Sequence, residues 1–323
     1  MPGYILKRIG ISLLTIFVIT TVTFVLMYSL PGKPFLGERP LPQSVIDAAN
    51  AKYGLNLPMF PRYLKYLSNI FLRGDFGQST VYTNRDVTSI IKQAFPVSAS
   101  LGIRALTFGV IGGLLSGIYS ALRHNKAGDR FSTVIAILGV SIPSFILGTM
   151  LQYLLGVKFS GWVKRLFDTK YQLFPLARWE SFRYTLIPTF VLGLGSLASV
   201  TRMTRSSMLD VVNQDYIKTA KSKGLSDLEI TWRHMVRNAI APVYTVIGGM
   251  VGVVVTGSFV IENIFSIPGL GKYFVNSVTS SDYPMTIGLT LFFSIFIVLV
   301  NLVVDLGYSL IDPRVRLDRA SKR

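Results

Sequence analysis

The chain of 323 residues is half hydrophobic and only 15% charged, whereas soluble domains usually carry about 25% charged residues. Its apolar residues cluster in runs of about 20, the length that spans a hydrocarbon core, which excludes an ordinary soluble domain. The formal charge of +17 comes with no recognised nucleic-acid module, so we attribute it to basic residues that flank the apolar runs and face anionic membrane lipid. We therefore expect no nucleic acid among the partners. The absence of cysteine excludes disulfides, thiol nucleophiles and Cys-based metal sites.

The first predicted element is a membrane span over residues 9–30. It is too long for the apolar core of a cleaved signal peptide, so we expect an uncleaved helix with a cytoplasmic N-terminus. Residues 31–97 contain no span. Three amphipathic helical patterns lie there, at Ser44–Leu55, Leu57–Phe71 and Val87–Phe95. We predict a small extracellular helical cap on the membrane surface; a surface that receives a partner protein or guides substrate is the alternative.

The second and third predicted spans cover residues 98–122 and 132–157. Arg104 lies inside the second span near its outer end, where it can snorkel or face a wet cavity. In the same span a glycine recurs at every fourth residue, which permits close helix contact: Gly109, Gly113 and Gly117. The third span is interrupted by a Ser-Ile-Pro-Ser sequence at 141–144, and a proline inside a helix bends it. We predict that Ser141 and Ser144 border a substrate pathway; simple packing against neighbours is the alternative.

The second half of the chain alternates apolar and polar segments. In order they are a span at 184–201, a polar loop at 202–238, spans at 239–262 and 284–311, and a tail at 312–323. The prediction is therefore an all-α membrane protein with six transmembrane helices, whose core covers residues 98–311. Short loops rich in Lys and Arg face the cytoplasm, which places both termini and the 202–238 loop there. The basic loop at 158–183 does not fit this rule.

The 202–238 loop has its own helical pattern, which runs from Tyr216 to Val236. Gly224 interrupts this pattern, and Ser226 can cap a second helix. The loop is therefore predicted to form a helix, a glycine turn and a second helix. It can receive a cytosolic partner; a solvated connector without a partner is the alternative.

Several motifs in and around this loop resemble those of a known family. Lys218-Thr219-Ala220, Gly224 and Ile240-Ala241-Pro242 resemble the EAA loop of ABC-transporter permeases. Further motifs that resemble the binding-protein-dependent peptide family are Asp215–Lys221, Ile264–Gly271, Asp282-Tyr283-Pro284 and Asp312-Pro313-Arg314. The likeness covers nearly the whole chain and is closest to the B-type membrane subunit of oligopeptide permeases. Two departures are Lys218, where the motif name has Glu, and the segment Ser160–Gln172, which resembles an insertion.

The resemblance implies a type I importer fold in the bacterial cell membrane, and a function in ATP-driven import of oligopeptides. The same architecture in related permeases imports dipeptides, nickel or glutathione, and these remain alternatives. The implied partners are a second, different permease chain, two ATP-binding subunits and an extracytoplasmic peptide-binding lipoprotein. ATP and Mg would be bound by the ATPase subunits, with no cofactor on this chain. The residues implied to couple this chain to the ATPases are Asp215, Lys218, Thr219, Ala220, Gly224, Leu225, Ser226 and Pro242.

The sequence contains no Walker A motif, catalytic dyad or metal-binding cluster, so we expect a transport subunit and no enzyme. His124 and His234 are interpreted as solvated or structural. An intramembrane protease is a rival that would need catalytic residues within the spans. A homo-oligomeric ion channel is a second rival, and it would be active without ATPases.

The substrate pathway is predicted from small and charged residues near the spans. Gly248, Gly249, Gly252 and Gly257 leave space in the fifth span. Glu262 can meet a peptide amine, and an interhelical ion pair is its alternative role. For Asp305, inside the sixth span, we expect structural pairing with an arginine.

Overall fold

The protein is described by a computed structural model that covers residues 2–29, 44, 47–48, 51, 56–79, 81–82, 85–167, 174–176, 178–256 and 259–311. The predicted helix at Ser44–Leu55 falls mostly outside these residues, and the tail at 312–323 falls wholly outside them. Apart from one isolated bridge between Gln78 and Asp86, the regular structure of the described residues is helical. The all-α prediction is confirmed.

The helices are numbered here in chain order. They are α1 (Pro2–Ser29), α2 (Met59–Arg73), α3 (Val87–Leu122), α4 (Ala127–Ser141), α5 (Ser144–Leu151), α6 (Ser160–Phe167), α7 (Phe182–Val212), α8 (Asp215–Ser222), α9 (Asp227–Glu229), α10 (Arg237–Val255), α11 (Phe259–Ile264), α12 (Leu270–Thr279) and α13 (Tyr283–Ile311). Two π-helical segments, Gln152–Phe159 and Ile230–Val236, join α5 to α6 and α9 to α10.

Five helical stretches of the described chain are long and apolar enough to cross a membrane: Ile5–Leu26, Val87–Leu122, Phe182–Val212, Asp227–Val255 and Pro284–Gly307. A sixth span results if the bent pair Ala127–Ser141 and Ser144–Phe167 counts as one. The two members of this pair meet at 102°, so the predicted break at Pro143 is confirmed and is sharper than a kink. The six-span prediction agrees with this arrangement, while the side on which each terminus lies stays a prediction.

Several predicted boundaries are wrong, because two helices continue beyond the apolar runs and another ends before its run does. The amphipathic pattern at Val87–Phe95 belongs to the same 36-residue helix as the second span. The fourth span continues through Val212, into the predicted loop, because its last turns bury small and apolar side chains such as Thr204 and Met208. The fifth span ends at Val255, and α11 follows as a separate helix.

The chain divides into two compact units. The first comprises Met1–Ser98 and Pro268–Leu302, and the second comprises Ala99–Ile267 and Val303–Arg323. In the first unit Phe95 packs edge-on against Phe292 and Phe296, with ring centroids 5.0 and 5.1 Å apart. Asp282 is fully buried in the same unit and accepts a hydrogen bond from the Ser79 hydroxyl.

In the second unit the glycine stripe of α3 makes the close helix contact that its spacing permits, and its partner is α7. A Cβ on Gly109 would lie 2.6 Å from the Ser196 Cβ, and one on Gly117 would lie 2.6 Å from the Thr204 Cβ. A Cβ on Gly113 would lie 2.7 Å from the Val200 Cβ. Because real side chains cannot come so close, only glycine permits this separation of the two helices.

Candidate functional site: the segment around Gly224

The helix–turn–helix predicted around Gly224 is confirmed. Helix α8 covers Asp215–Ser222, and Gly224 adopts the left-handed conformation with a φ of 76°. The Ser226 side chain then caps the next helix, because its Oγ accepts a hydrogen bond from the Glu229 backbone N–H at 3.3 Å. This second helix continues through the π-helical segment into α10, so the stretch Asp227–Val255 is one apolar helical span.

Pro242 lies inside α10, which begins at Arg237, slightly before the predicted start of the fifth span at 239. The helix tolerates this proline, which is exposed.

The inner face of the segment is apolar and is attached to two membrane helices. Ile217 and Ala220 are the buried residues of α8, at 1% and 5% exposure. They belong to a buried cluster that also contains Ile118, Ala121, Met208, Ile230, Met235 and Ala239. Leu225 packs against this cluster from the turn. The cluster therefore joins α8 to the ends of α3 and α7 and to the start of the next span.

The outer face of α8 is polar and open. Lys218 Nζ donates to Asp215 Oδ1 at 2.9 Å, and both side chains are mostly exposed, so this ion pair adds little stability. Thr219 is exposed and its hydroxyl donates to the Asp215 carbonyl at 3.0 Å. A Cβ at Gly224 would meet no atom within 4 Å. The predicted coupling residues thus separate into a buried set that fixes α8 and an exposed set that a second protein can reach.

A buried ion pair, which the sequence reasoning missed, lies on the same unit. Asp129 is 3% exposed and receives Arg205 Nε on Oδ1 at 2.6 Å and Arg205 Nη2 on Oδ2 at 2.8 Å. The Ser120 hydroxyl also donates to Asp129 Oδ1 at 2.5 Å, and the Asn125 backbone N–H donates to Oδ2 at 2.9 Å. His124 joins this network through Nδ1, 3.1 Å from Arg205 Nη2, which agrees with a structural role. The pair connects the start of α4 to α7.

The predicted pathway residues that the structure describes lie on four elements, α4, α5, α10 and α11, while Gly257 lies outside the described residues. Ser141 and Ser144 are exposed and flank the 102° bend. In α10, Gly252 is buried, Gly249 faces open space, and a Cβ at Gly248 would collide with the Val304 side chain. The space predicted at Gly248 is therefore filled by close helix packing.

Glu262 lies in α11 and is fully buried. Its backbone carbonyl accepts from the Ile267 N–H at 2.8 Å, which closes the turn after that helix. The described residues place Glu262 in a protein interior, whereas a peptide amine would need access to its carboxylate.

Comparison with known proteins identifies the family. The profile of the family described as "Binding-protein-dependent transport system inner membrane component" matches residues 113–317, and that of the N-terminal region of such components matches residues 1–102. The chain belongs to this family. The resemblance drawn from the motifs at Gly224, Pro242 and Asp282 is confirmed, as is a location in the membrane.

Individual relatives of this inner membrane component match along their full length. The dipeptide transport system permease protein DppB of Bacillus subtilis (strain 168) is 43% identical over 99% of both chains. The oligopeptide transport system permease protein OppB of Haemophilus influenzae is 36% identical over 98% of this chain and all of its own. The MetNI methionine ABC transporter in an inward-facing conformation has a TM-score of 0.53 at 14% identity, over 69% of this chain and 96% of its own. That likeness shows the fold alone, and it agrees with the predicted type I importer fold.

Proposed function

We propose that this chain imports peptides as one membrane subunit of an ATP-driven importer, and that the segment from Asp215 to Pro242 couples it to separate ATPase subunits. Support for the peptide substrate comes from the relatives, which are named as permeases for dipeptides and oligopeptides. Oligopeptides are the prediction from the sequence motifs. Identities of 43% and 39% to the two dipeptide permeases, against 36% to the oligopeptide permease, favour dipeptides.

The observation that carries the coupling proposal is the two-sided structure of α8. Its buried residues Ile217 and Ala220 lie in a cluster with residues of α3 and α7, while its polar face is exposed. A force applied to the exposed face therefore reaches two membrane helices through a packed interior, which transmits displacement because it has few voids. Alternating access then requires only rigid-body movement of these helices between an inward-open and an outward-open state.

The proposal assigns the other functions to other chains. Two ATPase subunits bind ATP and Mg and hydrolyse the nucleotide, and no cofactor is bound by this chain. A second, different permease completes the membrane part, and a peptide-binding lipoprotein delivers substrate from outside. The family description, which names a binding-protein-dependent transport system, supports this division of roles.

Substitution of Gly224 tests the coupling role. We expect Gly224→Asp and Gly224→Asn to abolish peptide uptake although the complex still assembles in the membrane. Among residues with a side chain, Asn and Asp tolerate a positive φ best. Loss of uptake in these variants would therefore be caused mainly by the added side chain on the coupling surface, and less by backbone strain. Gly74 is a matched control, since it also has a positive φ, 61°, with no atom within 4 Å of a Cβ.

The expected result is normal uptake for Gly74→Asn and none for Gly224→Asn, measured with radiolabelled peptide in cells that lack their own importers. Normal uptake by Gly224→Asn would remove this turn from the coupling surface. The amount of assembled complex is measured by co-purification of the ATPase subunits.

Uptake assays with defined substrates test the substrate class separately. Cells carrying the assembled importer are given a dipeptide, a pentapeptide, nickel and glutathione in turn. Uptake of the dipeptide alone selects dipeptides, and uptake of the pentapeptide selects oligopeptides. Uptake of only nickel or only glutathione would refute the peptide proposal while leaving the coupling proposal intact. Transport by this chain alone in vesicles would instead favour a channel.

A further inference from the structure

An apolar cavity of about 780 Å³ lies within the second unit, between α3, the helix segment that follows the 102° bend, and α7. Its volume falls within the range of about 300–1,000 Å³ that is typical of ligand sites. The lining is formed mainly by aromatic and aliphatic side chains, including Phe108, Leu155, Phe174, Phe182 and Phe190. Among the described residues that line the cavity, Arg104 is the one that carries a charge.

Arg104 has only neutral partners in the part of the chain that the structure describes. Its Nη1 donates to the Thr185 hydroxyl at 3.1 Å. Its guanidinium carbon lies 5.5 Å from the ring centre of Trp179 and 5.7 Å from that of Phe182. These contacts leave most of the five guanidinium N–H donors, and the whole positive charge, available for an anion. An arginine in a membrane helix is costly unless its charge is paired or hydrated.

The contacts of Arg104 are those expected near the boundary between lipid tails and headgroups. Thr185, to which it donates, lies in the first turn of α7, so the side chain reaches toward the end of that helix. Tryptophan and other aromatic rings that flank a span at this level are typical of the membrane interface. The snorkelling interpretation of Arg104 is thus favoured over a wet cavity.

We propose that this cavity binds one anionic phospholipid, with an acyl chain among the phenylalanine and leucine side chains and the phosphate on Arg104. A guanidinium binds a phosphate through two parallel hydrogen bonds, and the apolar lining accepts a hydrocarbon chain without loss of hydrogen bonds. A peptide fits this lining poorly, because its backbone N–H and C=O groups would find few partners there.

The test measures the lipid that stays with the complete transporter. The assembled complex is purified from vesicles of equal parts phosphatidylglycerol and phosphatidylcholine, and its bound lipids are counted by mass spectrometry. The wild type retains phosphatidylglycerol in preference to phosphatidylcholine. Arg104→Gln lowers this retention about tenfold, as expected for loss of one charge-assisted contact, and Arg104→Lys lowers it less.

Two further variants separate the site from general membrane binding. Arg123 is a matched control, because it also lies over an aromatic ring, 5.8 Å from the centre of Tyr119, but does not line the cavity. Arg123→Gln therefore retains lipid as the wild type does. Leu155→Trp fills the cavity and reduces retention with Arg104 in place, so the proposal stays testable if Arg104→Gln does not assemble.

Three results would overturn the proposal. Equal retention of phosphatidylglycerol by the wild type and both cavity variants would mean that the lipid lies elsewhere. Release of the lipid by excess inorganic phosphate would show that Arg104 is a site for a free ion. A photo-crosslinking residue in place of Phe190 that reacts with a neighbouring permease chain, and not with lipid, would show that protein covers the cavity.

Discussion

The attachment of α8 to the membrane helices makes a quantitative prediction for Ile217→Ala. Helix α8 has eight residues, and isolated helices shorter than about 12–15 residues are marginal in water, so packing must hold it in place. Ile217 is 1% exposed and Ala220 is its one buried neighbour on this helix. Replacing a buried isoleucine by alanine costs about 2–5 kcal/mol. Even the lower value raises the population of undocked α8 about 30-fold.

Limited trypsin digestion of the membrane-embedded complex measures this population. Lys218 and Lys221 become cleavable when α8 undocks, and the rate of cleavage follows the open population when reclosing is fast. We expect about 30-fold faster cleavage for Ile217→Ala. Tyr216→Ala is the matched control, because this neighbouring side chain is 42% exposed and lies outside the cluster. Equal cleavage rates in the two variants would refute the argument that the cluster holds α8.

Two further sets of substitutions test the packing of the second unit through thermal unfolding of the purified protein. Gly248→Ala forces a methyl group against Val304 and is expected to lower the free energy of unfolding by about 1–3 kcal/mol. Gly249→Ala faces open space and is expected to leave stability unchanged or to raise it by up to about 1 kcal/mol. Equal effects of the two variants would contradict the close contact at Gly248. Asp129→Asn leaves Arg205 without its anion and is expected to cost about 1–3 kcal/mol, because the Arg205 side chain is 29% exposed and stays partly hydrated. Much of this cost is recovered when Arg205→Gln is added. A double variant as unstable as the single one would show that the ion pair is not the cause.

The sequence by itself determined the class of the protein and its most informative segment. Runs of about 20 apolar residues predict spans whatever their neighbours, because the bilayer thickness alone sets the length. The turn at Gly224 and the cap at Ser226 are also local, since φ and a side-chain bond three residues away decide them. The glycine spacing in α3 predicted close contact but could not name α7 as the partner helix.

Only the tertiary structure decided which distant residues meet. Asp129 and Arg205 are 76 residues apart, and Arg104 and Thr185 are 81 residues apart, so no local pattern links them. The extension of α7 through Val212 likewise depends on burial against other elements, which outweighs the polar character of its sequence. Local chemistry sets turns and span lengths, whereas contacts between helices depend on a packing that the whole chain forms together.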